Sequence, residues 1–160
     1  MVGTRQFLTN DGLLTPAEQF QILRSALALS GQPDFGLRLG ERLTPATHGA
    51  MGFAVCSSPD LLTALQAFHK FLPTRASFIQ LHLQQVGERL ECILQYLGPL
   101  DDDIQRCLSD AMVKALFEFG EFMVGRPLRE AEVCFAHPKP EYHATASASL
   151  SGPVPCDCRP

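Results

Sequence analysis

Apolar and polar positions change period several times along the chain, and each change predicts an element. Behind Thr15-Pro16-Ala17-Glu18, a helical stripe of Phe20, Ile22, Leu23, Ala26 and Leu27 runs to Ser30-Gly31. Thr at the cap, Pro at the first position and Glu three after the cap form a capping box, which marks the start of a helix. Residues 34–43 fit a second, shorter helix, in which Gly36 and Gly40 leave room for another backbone to come close. The stretch HGAMGFAVC, residues 48–56, is apolar but interrupted by glycine, and reads as a mobile segment. Ser58-Pro59-Asp60 then starts a helix: Ser58 caps it, Pro59 sits first, and Asp60 complements the positive helix end. Leu61, Leu65, Phe68 and Leu72 form its buried face, and Pro73 ends it.

Between residues 78 and 97 the period drops from about 3.6 to 2. FIQLHLQQV alternates Ile79, Leu81 and Leu83 with Gln80, His82 and Gln84, Gly87-Glu88 turns the chain, and LECILQYL returns. This is an antiparallel hairpin. Pro99 and Asp101-Asp102-Asp103 open the longest helix, whose apolar face runs from Ile104 through Met112 and Phe119 to Met123, until Gly125-Arg126-Pro127 breaks it. A third strand is expected near residues 131–136, and one small helix in EYHATASASL. The order predicts an α+β fold in which a small antiparallel sheet, the hairpin plus that third strand, packs against several helices. We expect a single domain over residues 1–160, with 1–12 as a flexible arm and 151–160 as an irregular tail.

Composition narrows the function. The chain has 160 residues, enough to bury a core without staples. It is 46% hydrophobic and only 19% charged, a thin charge that hints at self-association, here a homodimer. Net charge is −4 with no basic run, a poor match to a nucleic-acid surface. There is no signal-peptide pattern and no membrane span, so a cytoplasmic protein that does not touch a membrane is expected. Six cysteines are scattered and read as small hydrophobes, apart from Cys156-Asp157-Cys158. That pair, with His137 and His143 upstream, completes no four-ligand zinc set, so no metal is expected.

Catalytic motifs are missing: no phosphate loop, no G-x-S-x-G and no H-E-x-x-H. The aspartates at 101–103 fall at a helix start, where the dipole accounts for them. Cys56 with His69 could make a thiol–imidazole pair, but nothing places an orienting group and an oxyanion donor beside them. No enzyme and no cofactor are expected. The aromatic residues, Phe53, Phe68 and Tyr96 among them, either fill a core or line an apolar cavity with a few polar groups. A cavity between the glycine segment, the helix from Ser58 to Leu72 and the hairpin makes Phe53, Phe68, His69, Arg75 and Tyr96 the candidate ligand residues.

Five motifs then fall in a recognisable order: FGLRLGERL, HGAMGFAVCSSPDLLTALQAFHKFL, VGRPLREAEVCFAHPKP within which His137 to Pro140 form a turn, and SGPVPCD. They resemble the N-terminal, arabinose-binding-like regulatory domain of AraC-type transcription regulators. Phe53 stands where that family often has Tyr, and SGPVPCDC replaces its usual last-strand motif. The resemblance implies a sensor of a small-molecule effector that also dimerises. DNA would be bound only through a C-terminal pair of helix-turn-helix motifs that this chain does not hold. A pure oligomerisation module and a small Cys/His enzyme stay open as alternatives.

Overall fold

The computed structural model describes residues 14–155; the arm expected at 1–12 and the last five residues of the expected tail lie outside it. Helix α1 spans Pro16–Ser30, α2 Phe35–Arg42, and a 3-10 turn at Pro45–His48 leads into α3, Gly49–Cys56. Helix α4 spans Leu61–Arg75, strands β1 and β2 span Ile79–Val86 and Arg89–Tyr96, α5 spans Asp102–Val124 and α6 His143–Ser149. The class is α+β, as the periodicity predicts.

Several local predictions hold in atomic detail. The Thr15 hydroxyl accepts from the Glu18 amide while the Glu18 carboxylate takes the Thr15 amide, so the capping box is closed, and Gly31 stops α1 at φ 58°. In the hairpin Ile79 faces Tyr96 and Val86 faces Arg89 across the predicted Gly87-Glu88 turn. Ile79 and Leu81 are buried beneath it, whereas most of β2 is exposed.

The glycine stretch has regular structure. It is helix α3, and Gly52 is required there because a Cβ would stand 1.9 Å from the Pro45 carbonyl oxygen. Nor does Ser58 cap α4: its hydroxyl donates to the Ala54 carbonyl, closing α3, while the Asp60 carboxylate accepts from the Thr63 amide at 2.8 Å. Pro73 lies inside α4 near its C-terminus, and the helix continues to Arg75.

The third strand also departs from expectation. The sheet among the described residues is β1–β2 alone. Residues 131–136 instead turn toward the chain's end, where the amides of Val133 and Phe135 donate to the carbonyls of Pro153 and Pro155. Their side chains pack with Phe117, Leu128, Leu150 and Val154 in a small core of their own. The reading of the scattered cysteines as plain small hydrophobes fails at Cys134, which is disulfide-bonded. Cys56, Cys92 and Cys107 are free thiols.

Helix α5 is the axis around which these parts assemble. One side of it, through Met112 and Phe119, meets Met51 and Val55 of α3, Phe68 and Leu72 of α4, and Ile79 and Leu81 of β1. Another side carries α2, whose glycines let two backbones nearly touch: a Cβ on Gly36 would stand 2.5 Å from the Cys107 carbonyl oxygen. Apolar burial of this kind contributes roughly 1.5–3 kcal/mol per large side chain. Helix α1 lies at the edge of this assembly: Phe20 packs against the core, but none of its residues is buried.

Candidate functional site

A cleft of about 520 Å³ opens between the C-terminal half of α1, the start of α2 and the start of α5. Leu27 and Ala28 of α1 and Ile104 of α5 give it apolar walls, and Tyr142, just ahead of α6, lines it too. The turn at Gly31–Pro33 closes one end. Its volume falls within the range of about 300–1,000 Å³ typical of small-molecule sites.

Four formal charges stand among its lining residues, and they pair off. Arg24 of α1 meets Asp101, the cap residue of α5, at 2.7 Å. Arg106 meets Asp103 at 2.6 Å within the first turn of α5. All four side chains are well exposed, the least so Arg106 at 41%. Such pairs contribute only about 0–1 kcal/mol, so a ligand group can replace either partner at small cost.

Beneath the cleft lies a buried polar cluster. Asp110 is 2% exposed, and its Oδ2 accepts from the Tyr142 hydroxyl at 2.6 Å. Burial pushes the Asp110 carboxyl above the usual carboxylate range, against the Tyr142 bond and the charges of His137 and Arg106. His137 commits Nδ1 to the Pro138 carbonyl, and its buried Nε2 faces Asp110 Oδ1 at 3.9 Å without a hydrogen bond. The Cys107 thiol, which also lines the cleft, is pushed up to about 11, by burial first and by Asp110 second. One turn further along α5, Lys114 is buried, with Nζ donating to the Ser149 carbonyl and paired with Glu118 at 2.9 Å. Tyr142 therefore belongs to both places, a wall of the cleft and the donor to the buried acid.

The residues picked from the sequence are not gathered around one cavity. Phe68 is core, ringed edge-on by Phe119 at 6.0 Å, and the space left where α3, α4 and α5 meet is about 10 Å³, enough for no more than a water. Phe53 is 75% exposed. His69 donates through Nδ1 to the Leu81 carbonyl, tying α4 to β1. Arg75 donates to the Thr47 carbonyl at 3.3 Å. Tyr96 hydrogen-bonds Ser109 of α5 at 3.0 Å, and burial pushes its phenol up to about 12.

Sequence reasoning missed Arg24, Arg106, Asp110 and Tyr142, and saw Asp101 and Asp103 only as helix-end charges. One signal was available: Asp110 and Lys114 are four apart on α5, and they match Gly36 and Gly40, four apart on α2. Among the described residues no cluster of three or more His, Cys, Asp or Glu side chains suits a metal ion, and no helix is long and apolar enough to cross a membrane.

Comparison with known proteins agrees with the motif order. Residues 4–158 match the family described as the arabinose-binding domain of AraC transcription regulators, N-terminal. The chain is also similar to the ornithine utilization regulator of Pseudomonas aeruginosa, 33% identical over 142 residues. That match takes in 89% of this chain and 41% of the relative, so the chain spans less than half of the relative's length.

Proposed function

Because the chain belongs to the family of N-terminal arabinose-binding domains of AraC transcription regulators, we propose that it is the sensory part of such a regulator. It binds a small-molecule effector and, by binding one conformation better than another, shifts how a separate DNA-binding part engages its target. It catalyses nothing. The observation that carries this reading is the open cleft with apolar walls and paired charges, the form of a small-molecule site, in a chain of a transcription-regulator family. Self-association as a dimer belongs to the same proposal, supported by exposed apolar side chains such as Leu29 at 88% and Phe122 at 65%.

The test is a thermal-shift screen against amino acids, sugars, aromatic acids and fatty acids, with light scattering on the same samples. Amino acids come first, because the Pseudomonas relative is named for ornithine utilization. A melting temperature that rises with the concentration of one class supports the sensor reading, since a molecule that binds only the folded state must stabilise it. A stable dimer that no class shifts would replace it with an oligomerisation module.

A further inference from the structure

We propose that the cleft between α1, α2 and α5 takes a small zwitterion, an α-amino carboxylate, and that this ligand fastens α1 onto α5. The proposal rests on the sensor reading above and adds the site, the ligand chemistry and the element that responds.

The charges argue for the ligand. Arg24 and Arg106 offer guanidinium forks suited to a carboxylate. Asp101 and Asp103 offer acceptors for an ammonium group, and both already hold a cation at 2.7 Å and 2.6 Å. A ligand carrying only a carboxylate would compete with an aspartate for its arginine and leave that aspartate unpaired. A ligand carrying only an ammonium would strand an arginine in the same way. A zwitterion replaces each displaced partner with one of the same sign, so no charge is left without a counterpart. Leu27, Ala28 and Ile104 then offer contact to whatever side chain the amino acid carries.

The response follows from how weakly α1 is held. Its fifteen residues include none that is buried. Its contacts with the other described elements include Phe20, packed on the edge of the main core with its ring 4.7 Å from that of Phe78, and the exposed Arg24–Asp101 pair. An element with so little burial opens at low free energy. A molecule whose carboxylate engages Arg24 on α1 and whose ammonium engages Asp103 on α5 joins the two helices through itself and leaves the displaced Asp101 and Arg106, of opposite sign, to each other, so α1 opens less often.

The experiment uses the whole chain and the common α-amino acids, basic ones included, as probes. Binding is read by calorimetry, and amide exchange is followed in α1 and α5. For the amino acid that binds, its deamino acid and its decarboxylated amine are run beside it. We expect at least one amino acid to bind and to slow exchange in α1, and neither analogue to do so. Arg24→Ala and Asp103→Asn change exposed side chains, so the fold is kept, and each is expected to weaken binding by about tenfold or more. Arg75→Ala is expected to leave binding unchanged. Binding that survives both cleft variants, or an analogue that binds as well as its amino acid, overturns the proposal. If a sugar or a fatty acid binds and no amino acid does, the zwitterion site falls and the sensor reading stands. If no class binds, both fall.

Discussion

His48 places both imidazole nitrogens out of water, neither in a well-formed hydrogen bond, edge-on to Phe119 at 5.5 Å. Burial first, and the Arg75 guanidinium second, hold its pKa below 6.5, against a weaker contribution from the Leu43 backbone. Between that lowered value and 6.5 the folded protein binds fewer protons than the unfolded chain. The stability that depends on neutral His48 is therefore complete above 6.5 and is lost as pH falls toward the folded-state value. His48→Leu should flatten this acid limb in urea midpoints measured against pH, and an unchanged slope would remove His48 as its source. Tyr142 carries a different cost. Tyr142→Phe leaves Asp110 Oδ2 buried with no donor, and unfolding in the absence of ligand should show a loss of about 1–3 kcal/mol. Adding Asp110→Leu should cost less than the sum of the two single changes, because the pair acts as a unit.

At the scale of elements, α2 and α5 meet in a seam too close for a side chain at Gly36. Ala at position 36 would gain up to about 1 kcal/mol of helix propensity and lose more to the clash. With its Cβ 2.5 Å from the Cys107 carbonyl oxygen, Gly36→Ala should destabilise the protein by about 1–3 kcal/mol in denaturant titration. This seam shows what a sequence can and cannot reveal. The glycine spacing announced a close approach, because two glycines four apart on one face of an amphipathic helix leave that face without side chains. What approaches was hidden: Asp110 and Lys114 carry the polarity of solvent-facing residues, and only the arrival of α2 and the Tyr142 segment buries them. Elements set by local chemistry were legible, including α1 with its box, the hairpin with its turn, and the length of α5. Boundaries set by neighbours were less so. Asp60 rather than Ser58 caps α4, since Ser58 is already spent on the Ala54 carbonyl. The chain at 131–136 pairs with 153–155 and not with the hairpin, because strand signals name no partner. The cleft was not legible at all: Arg24 and Asp101 lie 77 positions apart, and no pattern within one helix joins them.

For the whole molecule, the parts differ in how far their contacts reach along the chain. The hairpin, the α3–α4 pair and the α4–β1 contact join neighbours in sequence, whereas α2 reaches α5 across residues 43–101. Closing so long a loop costs entropy before its contacts reward it, so local units form early and distant seams form late. Gly36 and Gly40 stand at such a seam, and the glycine contact described as a matter of space becomes a matter of time. Gly36→Ala should leave the rate of folding nearly unchanged and speed unfolding by most of its equilibrium effect, read from the two limbs of a chevron plot. A slowed folding limb would instead place the α2–α5 seam in the nucleus. With the seam closing late, α2 and α5 set how long the folded protein lasts, not how quickly it is reached.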